Sequence, residues 1–269
     1  MIFSVIIPSY NGADTIRACL DSLRKQTRQP DEMIVVDSST DATPDIIRAE
    51  YPEVHLIRRQ RQTYCGKARN IGVEAATGEA VAITDTDCVA VPHWLEKLGG
   101  ALRERNCPAV GGGIGGPAGE HWVAAMERAM KVSEYLPTTP ARWTRRVAGG
   151  NFAVWRDAYR SVGGCPDLRI SEDVVFFNAL TEKYGPVYFE PEATVLHLSS
   201  PRLEDLYGRQ RQLGISFAES RSHDRSLPGA VAVEHRWLAP ALPLARAANI
   251  LTRLARRDRR LLRVVLCHW

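Results

Sequence analysis

The sequence predicts an α/β protein: a mostly parallel sheet flanked by helices, followed by a C-terminal helical segment. Three observations predict it. Short apolar runs alternate with segments of helical period through the first hundred residues. The runs stop at proline, acids or hydroxyls, as buried strands do where they leave a sheet. Beyond Pro240 and Pro243 the chain becomes amphipathic and arginine-rich. Alternation of this βαβ kind implies parallel strands joined by right-handed crossovers.

The elements follow in order. Phe3 to Pro8 is a continuous apolar run that ends at proline, a buried strand. Asp14 to Gln26 carries Ile16, Cys19, Leu20 and Leu23 at helical spacing. Met33 to Asp37 is the second strand. Pro44 to Glu50 is a short helix, with Thr43 as its cap and proline suited to its first turn. Val54 to Ile57 is the third strand, Lys67 to Ala76 a helix stopped by Thr77-Gly78, and Ala80 to Thr84 the fourth strand. Gly111 to Pro117 reads as a flexible connector, a strand end plus turn; no G-K-[ST] follows to make it a phosphate loop. Glu120 to Tyr135 is a helix, and Pro137 to Arg146 a mobile loop bearing Trp143. Gly149-Gly150 leads into a strand through Trp155, and Ser171 caps a helix that begins with Glu172-Asp173. Val187 to Glu190 and Ala193 to Leu198 are short strands, Leu203 to about Ser220 a helix, and Leu244 to Leu266 an amphipathic one.

Composition bounds the function. The chain has 269 residues, 45% apolar and 25% charged, enough for a large core and too apolar for global disorder. Its start lacks a basic segment followed by a long apolar one, so no signal peptide is expected. No run is long and apolar enough to span a bilayer. The six cysteines are scattered, without a C-x-x-C pair, which argues for a reducing, cytoplasmic setting. Net charge is +4, but residues 201–269 carry 13 Lys and Arg against 6 Asp and Glu. The remainder is slightly acidic, which argues against a nucleic-acid partner.

Ligands bind beyond the carboxyl ends of strands in open α/β sheets. Ser9-Tyr10-Asn11, Asp37 to Asp41 and Asp85-Thr86-Asp87 all fall there. Two carboxylates one residue apart at a strand end suit a hard divalent cation shared with substrate phosphates. The same pair is also compatible with a turn bearing two solvated acids.

The ordered set decides between these. Val5 to Asn11, Val35 to Thr43, Lys67-Ala68-Arg69-Asn70-Ile71-Gly72, Asp85-Thr86-Asp87, Gly150 to Ala153, Val162-Gly163-Gly164, Ser171-Glu172-Asp173 and His197 succeed one another along the chain. Over roughly residues 3–215 this resembles the family 2 glycosyltransferases, which have the GT-A fold. The resemblance implies a nucleotide-binding half, 1–105, and an acceptor-binding half, 106–220, with 221–269 a basic tail. It implies a nucleotide-sugar donor, most readily a UDP-sugar, with Mn²⁺ or Mg²⁺ and inverting transfer. Pro8, Tyr10 and Asn11 match the segment around the nucleoside, and Asp37 the acid that holds uracil or ribose. Lys67 and Arg69 match basic residues near the base or diphosphate. Asp87, within Asp85-Thr86-Asp87, matches the metal ligand, with Asp85 on ribose or metal-bound water. Asp173 matches the catalytic base, with Glu172 beside it. His197 stands where some relatives place another metal ligand; its strand equally suits a core histidine.

The chain departs from that pattern at Ser38-Ser39, where an acid-glycine pair is frequent, and at Val174 to Phe177, where a polar helix start is common. Q-x-x-R-W is absent from the region of Arg209-Gln210-Arg211-Gln212, which favours transfer of a single sugar over polymer synthesis. The acceptor is a carbohydrate, a lipid-linked molecule or a small molecule. A sugar-phosphate nucleotidyltransferase would want a basic glycine-rich loop after the first strand, and Ser9 to Asp14 holds no basic residue. A non-catalytic nucleotide-sugar or membrane-binding module would not need Asp85, Asp87 and Asp173. Trp143 and Trp155 suit stacking on a sugar or packing in the core. The tail suits either peripheral contact with the inner membrane face or packing through its leucines.

Overall fold

The computed structural model describes residues 1–223, 235 and 241–268. They group into two compact units, residues 1–117 with 135–198, and residues 118–134 with the chain from Ser199 on. These cuts fall at 117, 134 and 198, where the sequence reading divides at 105 and 220.

In the first unit β1 (Phe3–Ser9), β2 (Glu32–Asp37), β3 (His55–Arg58) and β4 (Ala80–Thr84) alternate with α1 (Ile16–Arg24), α2 (Thr43–Glu50) and α3 (Cys65–Ala75). The strands pair in parallel in the order β3-β2-β1-β4. β1 and β4 are buried at every position, which is why they read as unbroken apolar runs. α1 turns Ile16, Cys19, Leu20 and Leu23 into the core. Its outer Arg17 and Arg24 pair with Glu50 and Glu53.

The sheet then changes character. β5 (Cys88–Ala90), α4 (Trp94–Glu104), β6 (Ala109–Gly115), β7 (Arg142–Thr144), β8 (Asn151–Trp155), α6 (Arg156–Ser161), α7 (Glu172–Tyr184) and β9 (Val187–His197) complete the unit; α5 belongs to the second unit. The order continues β4-β8-β6-β9-β5, and β7 pairs with β9. β8 runs antiparallel to β4 and β6, β9 runs parallel to β6, and β5 and β7 run antiparallel to β9. The expected parallel sheet is therefore its first half, and the whole is mixed.

Several local expectations are corrected. Gly111 to Gly115 is no connector but part of β6, buried at every position. A Cβ on Gly111 would meet Val147 at 2.2 Å, and one on Gly112 would meet the Ala193 carbonyl oxygen at 1.8 Å. Glycine is there because neighbours from distant segments fill the space, not because the chain is mobile. Residues 142–144 of the expected loop form β7, and the two expected short strands are one, β9. Thr43 lies inside α2 rather than capping it, and its hydroxyl donates to Asp41 at 2.5 Å.

α7 explains the apolar sequence after Glu172-Asp173. Phe176 and Phe177 are buried against Phe152 of β8, with ring centroids 6.0 and 5.1 Å away, and Tyr159 of α6 lies 4.7 Å from Phe176. Burial of two phenylalanines in such a cluster is worth about 3–6 kcal/mol. It fixes the start of α7 against the strand next to β4.

The second unit contains α5 (Trp122–Val132), α8 (Leu203–His223), α9 (Ala241–Arg257) and α10 (Arg259–His268). Glu127 of α5, 1% exposed, is paired by Lys131 and by Arg209 of α8, each at 2.8 Å. The tail is two helices, not one. Asp258 interrupts it and accepts from the Leu261 amide at 2.9 Å, an N-cap for α10. Ile250, Leu254, Leu261 and Val265 are buried, and both tail helices pack on α5. Pro240 lies outside the described residues. Among the described residues no helix is long and apolar enough to cross a membrane.

Candidate active site

The carboxyl ends of β1, β2 and β4, the start of β8 that pairs with β4, and the end of β9 that pairs with β5 bring the rim residues together. Thr84 of β4 is level with Asn151 of β8, and Cys88 of β5 with His197 of β9. Asp85 and Asp87 thereby lie close to His197 and to the Gly149-Gly150 turn.

Two groups of charge occupy the rim. In the first, His197 Nε2 stands 3.3 Å from Asp87 Oδ2, and the Leu198 amide donates to the Asp87 carbonyl at 2.7 Å. Asp87 keeps 39% of its side chain exposed. In the second, Arg69 of α3 is 3% exposed and lies between two carboxylates. Its guanidinium donates to Glu172 Oε1 at 2.7 Å and stands 3.5 Å from Asp85 Oδ1. Burial alone would lower the Arg69 pKa, but Asp85 and Glu172 outweigh it and hold the side chain charged. Burial pushes the Glu172 carboxyl up, against Arg69, and the neighbouring Asp173 adds to the rise. Burial also raises Asp85, with Arg69 opposing and Asp87 assisting.

The glycine turn sits between Asp85 and Asp173. A Cβ on Gly150 would meet Asp85 Oδ2 at 2.4 Å, and one on Gly149 would meet Asp173 Oδ2 at 2.9 Å. The Gly149 amide donates to Asp173 Oδ2 at 3.2 Å, and the Val174 amide to Oδ1 at 2.8 Å. Ser171, just before, is held at φ +70°. A left-handed serine is uncommon and marks stored strain beside the acids. It makes no side-chain cap, contrary to the sequence expectation. Asn151, next to the turn, is a buried clamp: it accepts from Trp94 Nε1 and donates to the Gly113 and Ala193 carbonyls.

Asp37 is 0% exposed. Its carboxylate accepts from Ser9 Oγ at 2.7 Å and Ser39 Oγ at 2.5 Å, and it is ion-paired with Arg58. Ser38-Ser39 thus has work where an acid-glycine pair was expected: Ser39 saturates Asp37, and Ser38 Oγ accepts from the Thr63 amide. Asn11, at φ +51°, accepts from the Thr40 amide, while its own amide donates to Ser39 Oγ. These bonds tie the β1 and β2 rims together. Pro8 is buried in β1, whereas Tyr10 is 45% exposed beside it.

The other expected residues are placed as follows. Lys67 is exposed and pairs with Asp167 at 3.3 Å. Thr86 packs against Gly12, where an added Cβ would meet its Oγ1 at 3.1 Å. Trp155 donates to the Cys107 carbonyl and is half-buried. Trp143 is exposed and edge-on to Tyr188, which pairs with Val110 of β6 while Leu196, next to His197, pairs with Gly115, five residues and roughly 17 Å along β6. It does not overhang the rim. The pairing of Arg58 with Asp37 and the bridging by Arg69 leave no local signal in the sequence; both are contacts across the fold.

A hard divalent cation fits the acids. Asp85 Oδ1 and Thr84 Oγ1 are buried without a hydrogen-bond partner among the described residues, but Oδ1 faces the Arg69 guanidinium, so Asp85 Oδ2, beside Gly150, and the 39% exposed Asp87 are the oxygens free for a cation. Among those residues no group of three His, Cys, Asp or Glu side chains stands close enough to hold an ion alone. Mg²⁺-type sites take one or two protein carboxylates and complete their shell with phosphates and water.

Comparison with known proteins agrees with this arrangement. The profile described as glycosyl transferase family 2 matches residues 4–163. Glycosyltransferase AglE of Haloferax volcanii is 30% identical over 225 residues, covering 78% of this chain and 71% of AglE. The uncharacterized glycosyltransferase YibD of Escherichia coli is 41% identical over 99 residues, 35% of this chain and 28% of YibD. Among solved structures, mannosyltransferase PcManGT from Pyrobaculum calidifontis, in complex with GDP-Man and Mn²⁺, superposes with a TM-score of 0.61 at 23% identity. That match covers 94% of this chain and 74% of PcManGT. S. aureus TarS 1-349 in complex with UDP gives 0.58 at 21% identity, over 80% and 65% of the two chains. The fold is that of GT-A glycosyltransferases. The chain belongs to glycosyl transferase family 2, and its activity is that of a transferase.

Proposed function

We propose that this protein is a metal-dependent, inverting glycosyltransferase that moves a single sugar from a UDP-sugar to an acceptor hydroxyl. The observation that carries the proposal is the Gly149-Gly150 turn, which holds Asp85 on one side and Asp173 on the other. A donor-side acid and an acid at a helix start thereby flank one two-residue turn. The solved complexes of PcManGT with GDP-Man and Mn²⁺ and of TarS with UDP support a nucleotide-sugar donor. In this reading Asp87 and Asp85 would hold Mn²⁺ or Mg²⁺ together with the donor's phosphates, with His197 beside Asp87 at 3.3 Å, and the metal when bound would neutralise charge on the leaving diphosphate.

The remaining roles belong to the chain. Asp173 takes the proton of the acceptor hydroxyl as it attacks the anomeric carbon from the face opposite the diphosphate. Its two backbone amide partners keep it aimed. Glu172 does not move the proton; it anchors the start of α7 to Arg69. Arg69 also balances the charge of Asp85. Asp37 organises the nucleoside end of the rim through Ser9, Ser39 and Arg58, beside Pro8, Tyr10 and Asn11. Lys67, exposed at the start of α3, is placed to meet diphosphate or base if it leaves Asp167.

Asp173→Asn tests the central assignment. It keeps the shape and one of the two backbone-amide bonds but removes the base. UDP affinity in the presence of Mn²⁺ should stay within about threefold, and turnover of UDP-sugars, followed by UDP release, should fall at least about 100-fold. Appreciable turnover by the variant would sink the base assignment.

A further inference from the structure

The tail helices hold a charged face that the transfer chemistry does not use. Over residues 241–268 there are seven arginines and one acid, Asp258. Arg253 is engaged by Glu134, and Arg246 donates to the Met130 carbonyl. Arg256, Arg259, Arg260 and Arg263 are all exposed. Arg259, Arg260 and Arg263 share α10, where spacings of three and four residues put them on one side, and Arg256 stands near the end of α9, before the break at Asp258. Asp258, the nearest acid, is engaged as the cap of α10. One helical turn further along, Leu266 is 59% exposed.

The apolar face of the same helices is already covered. Ile250, Leu254, Leu261 and Val265 are at most 4% exposed, and both helices pack on α5. Deep insertion of that face into a bilayer would require it to leave α5. What remains outward around the break between the helices is mostly positive charge, with Leu266 one turn beyond it and Leu244, 74% exposed, at the far start of α9.

We infer that this face is a docking surface for an anionic lipid membrane, bound flat by its arginines rather than by insertion of the buried leucines. The argument is charge complementarity. Three exposed arginines on α10 and one at the end of α9, with the intervening Asp258 engaged as a cap, match a plane of phosphate-bearing headgroups, and each basic side chain near such a surface adds to the affinity. An arginine offers several donors to a phosphate at once, which suits lipid phosphodiesters. The inference is independent of the transfer mechanism, and it brings the enzyme to a surface where lipid-borne acceptors reside.

The test is sedimentation of the full chain with vesicles of phosphatidylcholine alone and of phosphatidylcholine mixed with phosphatidylglycerol, at low and high salt. Binding is expected only to the mixed vesicles and should weaken as salt rises. The quadruple change Arg256→Gln, Arg259→Gln, Arg260→Gln and Arg263→Gln should weaken it on the order of 100-fold. Arg48→Gln with Arg103→Gln, exposed elsewhere, should leave it unchanged. Leu266→Ala should change it by about threefold at most. The thermal unfolding midpoint of the quadruple variant, and its response to UDP with Mn²⁺, should match the parent and so report an intact fold. Equal binding to neutral vesicles, no binding to either, a larger loss from Leu266→Ala than from the quadruple change, or binding to a DNA oligonucleotide but not to vesicles would each overturn the assignment.

Discussion

Replacing Gly150 by alanine is expected to damage the donor side of the site while leaving the fold intact. The added Cβ would stand 2.4 Å from Asp85 Oδ2, whereas ordinary contact begins at 3.4 Å. Gly150 is not among the residues at positive φ, so its backbone accepts alanine without strain. The conflict is therefore local, and the Asp85 carboxylate must retreat by about 1 Å, since interiors are too well packed to absorb the contact elsewhere. Its other oxygen already faces Arg69 at 3.5 Å, so the retreat is toward that guanidinium and away from the rim. A misplacement of about 1 Å costs on the order of 100-fold, about 2.7 kcal/mol of transition-state stabilisation. Gly149→Ala is the matched control. Its Cβ meets Asp173 at 2.9 Å instead. Calorimetric titration of UDP with Mn²⁺, alongside UDP release from a UDP-sugar, separates the two. Gly150→Ala should weaken nucleotide binding, and Gly149→Ala should spare binding and lower turnover. Equal effects of both variants on both readouts, or normal binding in Gly150→Ala, would refute the division of labour across the turn.

Other consequences follow from the same geometry. Arg69→Met leaves Glu172 buried without its partner and should lower stability by about 3–5 kcal/mol in urea unfolding. Adding Glu172→Gln should recover about 1–3 kcal/mol of that loss, because the orphaned charge is gone. The Asp41 carboxyl lies below its ordinary value: burial works against this, but bonds from the Thr43 hydroxyl, the Thr43 amide and the Ala13 amide prevail. A depressed carboxyl contributes stability above its unfolded pKa of about 4 and loses it as pH falls through the folded value. The melting-temperature gap between the parent and Asp41→Asn should therefore be widest near neutrality and shrink in acid. A gap that stays constant with pH would show that the bonds to Asp41 carry no charge-dependent stability.

The first half of the fold is legible in the sequence because its strands are buried on both faces. β1 and β4 read as apolar runs, and α1 places its apolar residues at a period that matches its buried face. The bounds predicted for β4, Ala80 to Thr84, are those observed. The second half is less legible because distant contacts decide it. Nothing local distinguishes a glycine-rich connector from β6, whose glycines are dictated by Val147, Ala193 and Pro191. The break in the tail depends on Asp258 acting as a cap inside an otherwise continuous amphipathic pattern. Within the site the residue types were legible, since the acids fall at strand ends and a helix start. Their partners were not. That Arg69 bridges Asp85 and Glu172, residues up to 103 positions away, is a property of the packed fold. That Arg58 and Ser39 enclose Asp37 likewise appears only once β1, β2 and β3 lie side by side.

The account rests on a metal and nucleotide site built on Asp87 and Asp85, and thermal unfolding reads it most directly. A ligand of the native state raises the apparent stability by mass action. UDP, GDP, CDP and dTDP should each be measured with and without Mn²⁺, on the parent and on Asp87→Ala. The expected result is a rise in melting temperature with UDP that requires Mn²⁺ and disappears in the variant. A rise that persists without metal or in Asp87→Ala, or no rise with any nucleotide, would contradict the site.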